Sequence, residues 1–149
     1  TSNYWMGEFH RDNYETNNAS IFTRVSQART TGSNVVVLYS ANFGYIQTLN
    51  TVGQRLNSGN NNLSPAMDMT GLGDKVLHRV NSNDLVGYNN SSRMEGTRVS
   101  IAPGSLSELR LGYNQDAFVS YAGMGASFDA ETPGFLDLMS DYLTNLNAL

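Results

Sequence analysis

The residue types best suited to chemistry gather near the N-terminus, where Glu8, His10 and Asp12 alternate along the chain. In an extended segment every second side chain shares a face, so these three would project together. With His78, the other of the two histidines, His10 and Asp12 supply the ligand types of a two-histidine, one-carboxylate iron site. Ordinary surface residues on an edge strand give the same pattern. A metal-dependent enzyme using His10, Asp12 and His78 is thus one expectation, and its requirement is stoichiometric iron or zinc in untagged protein.

A second stretch has the makings of an anion site. Val35, Val36, Val37, Leu38 and Tyr39 form an apolar run that is too short for a long helix and rich in β-branched residues, which predicts a strand buried on both faces. Ser40, Ala41, Asn42, Phe43, Gly44 and Tyr45 come next as a short turn. Phe43, Ile46, Leu49, Val52 and Leu56 then recur at three- and four-residue steps, the spacing of one helix face. Gly53 weakens that helix by about 1 kcal/mol relative to alanine. A strand, a turn and a helix can hold a phosphate at the helix N-terminus, or can simply be core.

The sequence VVVLYSANFGYIQTL, residues 35–49, resembles the first strand, phosphate loop and helix of flavodoxin-like proteins, and DLVG, residues 84–87, is similar to their third strand. The resemblance implies an FMN or phosphate ligand wrapped by the backbone of Ser40, Ala41, Asn42, Phe43, Gly44 and Tyr45. Ala41 and Ile46 depart from it, standing where that family usually places hydroxyl anchors. The alternating pattern after Gly87 also replaces a further parallel strand and crossover helix.

Other polar groupings read as structure. Asp129 and Glu131 precede a helix, where negative charge favours the dipole. Asp137 and Asp141 lie four apart on its solvated side, a mildly unfavourable spacing for like charges. No serine has a histidine partner in a nucleophile-elbow setting. Gly71 with Gly73, and Gly123 with Gly125, lack the third glycine of a dinucleotide fingerprint and read as turns. Arg93 and Arg98 flank Gly96 and are suited to an acidic group or to an ordinary hairpin surface.

The elements that must position these residues are bounded by composition. A chain of 149 residues buries a sizeable core without disulfides, and this one has no cysteine for thiolate chemistry or zinc–thiolate sites. Thirteen acidic against nine basic residues give a net charge of −4, with Lys75 the sole lysine, which argues against wholesale binding to nucleic acid or anionic membrane. No apolar run reaches membrane-spanning length, and the N-terminal segment lacks the regions of a signal peptide, so a soluble or already processed chain is expected. Eighteen asparagines, with many serines and threonines, make a neutral surface of the kind seen on exported or particle-forming proteins. That points to an extracellular location.

Along the chain, residues 20–28 fit a brief helix or a strand carrying Ile21, Phe22, Val25 and Ala28. Residues 57–64 are a polar loop, 65–69 a short edge strand, 74–80 a helical turn or two, 84–88 an apolar run and 89–96 a second polar loop. From Thr97 the period becomes two, through Val99, Ile101, Leu109, Leu111, Tyr113, Phe118 and Tyr121, which predicts an antiparallel meander. Thr132 and Pro133 open a helix with Phe135, Leu136, Leu138, Met139, Tyr142, Leu143 and Leu146 on its apolar face.

The expected fold is a single α+β domain over residues 1–149, with a central βα unit, an antiparallel meander in the second half and a C-terminal amphipathic helix packed on the sheet. The expected function is a non-enzymatic structural or interaction protein, a subunit of an extracellular or virion-like assembly. It would self-associate or bind a protein partner through Tyr4, Trp5, Tyr45, Tyr88 and Tyr113. The alternatives are the flavodoxin-like FMN or phosphate binder and the metal-dependent enzyme.

Overall fold

The computed structural model describes residues 5–9, 15–27, 36–40, 44–47, 54–57, 67–102, 107–111 and 118–147. Among these residues ten strands succeed one another: β1 Trp5–Phe9, β2 Ala19–Gln27, β3 Val36–Ser40, β4 Gly44–Gln47, β5 Arg55–Leu56, β6 Gly73–Arg79, β7 Asp84–Asn89, β8 Ser92–Thr97, β9 Ser107–Leu111 and β10 Phe118–Gly125. A short 3₁₀ turn, Asp129–Glu131, leads into the helix α1, Thr132–Asn147. The protein is therefore mixed α+β, with antiparallel sheets and one C-terminal helix.

The strands form two five-stranded antiparallel sheets, ordered β1-β9-β3-β4-β5 and β10-β2-β6-β7-β8. Period-two alternation assigns side chains of the second sheet to its two faces. Ala19 and Ile21 of β2, Leu77 of β6 and Leu85 of β7 point one way and pack with Ile46 and Leu56 of the first sheet and with Met67 and Met69. Gly87 lets the Met69 side chain lie close on this face, since a Cβ there would be 2.5 Å from the Met69 Cε and would make that side chain shift. Val76, Val86 and Tyr88 point the other way and pack with Leu136 of α1, flanked by Phe22, Phe128 and Phe135. The second sheet is thus covered on both sides, by a sheet and by a helix.

Several expectations are corrected here. The helix expected over residues 43–56 is replaced, where the residues are described, by strands β4 and β5, so the central βα unit gives way to a β3–β4–β5 meander. Gly44 explains the preference: its backbone lies against the Arg55 carbonyl with no room for a Cβ, an approach that strand pairing provides. The stretch 74–80, read as helical turns, belongs to the central strand β6 as far as Arg79, and the loop expected over 89–96 is a tight turn entering β8. Residues 67–69, expected in an edge strand, are irregular, although Met67 and Met69 are buried.

The meander expected from Thr97 onward is absent among the described residues; the β6–β7–β8 meander lies before it and ends at Thr97. The strands after Thr97 do not continue it. β9 joins β1 and β3 in the first sheet and β10 joins β2 in the second, while Val99 and Ile101 lie outside any strand and are exposed. The ambiguous residues 20–28 resolve as strand β2 over its described length.

Candidate functional site

Strand β6 gathers polar residues of the kinds that could do chemistry, and the pleat divides them between two buried faces. Lys75 and Arg79 lie on the Leu77 face, toward the first sheet, and both are fully buried. Arg79 donates through Nε and Nη2 to the Leu56 carbonyl at 3.1 and 2.8 Å, and through Nη1 to the Arg98 carbonyl. It joins β5 and the segment after β8 to the central strand. Lys75 donates to the carbonyls of Thr70, at 3.3 Å, and Leu72, at 3.0 Å, and to the Asn89 side chain. Burial lowers the Lys75 ammonium to about 8, against the attraction of Asp74 and Asp68, and lowers Arg79 to about 10. Both cations donate to backbone carbonyls, Lys75 also to the Asn89 side chain, and they tie β5 and the segments flanking β6 and β8 to the core.

On the opposite face His78 is fully buried beneath α1. Its Nε2 lies 2.8 Å from the Thr132 Oγ1, whose hydroxyl donates to the Phe128 carbonyl at 3.0 Å. A hydroxyl has one proton to give, so the imidazole donates Nε2–H to Thr132. Its Nδ1 is then the bare nitrogen, and it has no hydrogen-bond partner. Phe128 and Tyr88 meet the ring edge-on, with centroids 4.8 and 5.9 Å away. Burial lowers the His78 pKa to about 4; Asp129 opposes that shift and Arg93 adds to it, so the ring is neutral near pH 7.

Around this histidine two polar clusters fasten the sheet. Tyr88 donates to the Asp129 carboxylate at 2.7 Å, and Arg93 reaches the same carboxylate at 3.0 Å while pairing with Glu95. Burial pushes the Asp129 carboxyl up, but the Arg93 and Tyr88 hydrogen bonds outweigh it and leave the group below its ordinary value. Asp74 accepts from Arg24 at 2.7 Å and from the Tyr121 hydroxyl, linking β2, β6 and β10. Burial, then the Asp74 hydrogen bond, raises Tyr121 well above the usual phenol range. Each of these groups has a hydrogen-bonding or ion-pair partner within the chain.

Of the residues marked for a phosphate ligand, the described ones fall in β3 and β4. Ser40 ends β3, and Gly44 and Tyr45 begin β4, with Ser40 opposite Gly44 across the ladder. Ala41, Asn42 and Phe43 lie outside the described residues, as do His10 and Asp12. From Gly44 the chain runs antiparallel to β3, so it enters a strand instead of the helix N-terminus that a phosphate clamp requires. Among the described residues no group of three or more His, Cys, Asp or Glu side chains is close enough to hold a metal. Tyr88, expected as an exposed anchor, is buried. Arg93, suggested for an external acidic group, is taken by Asp129 and Glu95.

The outer side of α1 is the part that reaches solvent. Leu136 is buried and Phe135, Met139 and Leu143 are half-buried, but Leu138, Tyr142 and Leu146 are 66, 56 and 47% exposed. The sequence marks all seven as one apolar face. It could not show which of the seven the sheet covers, which is visible only once the strands are in place. Among the described residues, no helix is long and apolar enough to cross a membrane. The chain matches no protein-family model, no curated protein and no solved structure.

Proposed function

We propose that this chain is a non-enzymatic structural or interaction protein, a subunit of an extracellular or virion-like assembly that holds a protein partner through α1. The observation that carries the reading is the exposed row Leu138, Tyr142 and Leu146 on a helix whose first turns are anchored in the core. Apolar side chains repeated at four-residue steps on an otherwise polar surface are what an amphipathic helix offers to a partner.

Two further features support it. The buried Lys75, His78 and Arg79 are occupied by carbonyls, by Asn89 or by Thr132, as expected of groups that fix a scaffold. The asparagine-rich, cysteine-free composition suits an exported or particle-forming chain.

Light scattering on the full chain with its native extract tests the proposal. The expected result is a complex well above the 16.3 kDa chain mass that is lost in the Leu138→Ser/Tyr142→Ser/Leu146→Ser variant. A strict monomer with no partner, or a complex indifferent to those substitutions, contradicts it.

A further inference from the structure

Helix α1 is fastened to the second sheet at its start and lightly elsewhere. Thr132 and Leu136 are its buried residues, Phe135, Met139 and Leu143 are half-buried, and its other described side chains are exposed. The Thr132 hydroxyl meets the His78 Nε2 at 2.8 Å, and Leu136 packs with Val76, Val86 and Tyr88. A terminal helix with so few buried contacts is a unit that can open while the remainder stays folded.

Strand β6 cannot yield in its place. It is paired on both sides, with β2 and β7, and Lys75 and Arg79 anchor its opposite face. The turn before the helix is held separately, by Tyr88 and Arg93 on the Asp129 carboxylate. Any conflict at the His78 ring therefore falls on the helix beyond that clamp.

Such a conflict arises when the ring takes a second proton. Nδ1 is buried without a partner, so the new N–H has no acceptor within a layer that includes the Tyr88 and Phe128 rings. Two charged groups act on the ring: Asp129 attracts the cation and Arg93 repels it, and these two are already paired with each other. Tyr88 stays protonated, since burial raises it. Opposite His78 stand Ser20 of β2 and Val86 of β7, neither of them charged. Arg24 and Asp74 are paired at the other end of β6, and Glu131, Asp137 and Asp141 are exposed.

We propose that α1 is an acid-released lid: protonation of His78 frees the helix from Thr132 onward, with both sheets intact, and uncovers Phe22, Val76, Val86 and Tyr88. The sheets stay together because their shared core lies on the other face of β6. Asp129 titrates below its ordinary 3.8, so its clamp survives at pH 5 and keeps the freed helix tethered for closure at neutral pH. The folded imidazole titrates near 4 and an exposed one near 6.5, so the opening equilibrium rises about 20-fold between pH 7 and pH 5.

Hydrogen exchange of the full chain, resolved by NMR and corrected for intrinsic rates, tests this from pH 7 to pH 5. The amides of residues 136–143 should lose about 20-fold in protection, while those of β6 and β7 keep theirs. The His78 ring should titrate well below the usual 6.5. In His78→Leu the protection of α1 should not vary with pH. Equal losses from helix and strands, no loss by pH 5, or a His78 that titrates at its usual value overturns the inference. So does an unchanged pH response in a folded His78→Leu; if that variant does not fold, the regional pattern and the ring titration of the native chain decide.

Discussion

The two faces of β6 bury similar amounts of polar chemistry by opposite means. Toward the first sheet, a methionine- and leucine-rich core is closed at its ends by two cations, Lys75 and Arg79, seated on backbone carbonyls. Toward α1, an aromatic layer of Phe22, Tyr88, Phe128 and Phe135 surrounds a neutral histidine. The cations hold the end of β5, the segment after β8 and the turn before β6, a task needing several donors on a long stem. The histidine holds the start of one helix, where a single donor to Thr132 suffices. The difference predicts that the inner seam is costly to break by substitution and that the outer seam is sensitive to acid.

The largest effect belongs to the inner seam. Arg79→Ala leaves the Leu56 and Arg98 carbonyls without their donor and opens a void, and should cost about 3–5 kcal/mol. Urea unfolding should show this as a lower midpoint at an unchanged m-value. Lys75→Met keeps most of the volume and removes a buried charge, so its cost should be smaller. If the two variants are equally damaging, occupancy of carbonyls is not what distinguishes them.

The outer seam comes next. The Phe22 ring lies 5.1 Å from Phe135 and 5.9 Å from Phe128, centroid to centroid, and a Cβ on Gly123 would collide with it. Phe22→Ala should cost about 3 kcal/mol. Gly123→Ala should displace the same ring, and the aromatic circular dichroism of both variants should fall together.

Acid should loosen the outer seam through His78. The unfolded imidazole titrates near 6.5 and the folded one near 4, so between those values the unfolded chain holds a proton that the folded chain does not. The contribution is complete above pH 6.5 and declines as the pH falls toward 4, by about 3 kcal/mol at most. Asp129, held below its ordinary value of 3.8, loses its contribution only at still lower pH. Denaturant midpoints measured from pH 7 to pH 4 should fall in the native chain and stay nearly flat in His78→Leu. An equal slope in both would mean that His78 is not the group responsible.

The smallest effect on stability is expected at the outer face of α1. Leu138→Ser and Leu146→Ser should change unfolding free energy by less than about 0.5 kcal/mol, since their side chains have little packing to lose. A larger loss would mean that the row is packed within the chain rather than presented to a partner.

The strands differ from the sequence reading for reasons visible at particular residues. The spacing of Ile46 and Leu56 fits one helix face, yet both reach the same core from two paired strands, a coincidence that local periodicity cannot separate. Residues 74–79 are buried throughout, because β6 is covered on both sides and the apolar-polar alternation that marks a half-exposed strand is lost. His78 stands out in the sequence for its chemistry, but its partner is Thr132, 54 positions away. The exposed row on α1 was legible as part of an apolar face; its exposure was not.

Taken alone, the chain's residues determined the strand near Val36–Ser40, the helix beginning at Thr132 and Pro133, and the placing of all the net charge on the last 24 residues. These come from propensity, the preference of proline for a helix start and counting, which act over a few neighbours or over the whole sum. Thr132, expected as the N-cap, is itself helical and spends its hydroxyl on Phe128 and His78. Tertiary structure alone decided which polar side chains of β6 turn inward and how much of the α1 face stays uncovered. Those depend on pairings such as Ser20 with the Ala126 carbonyl, 106 positions apart, and no local pattern carries information across that distance.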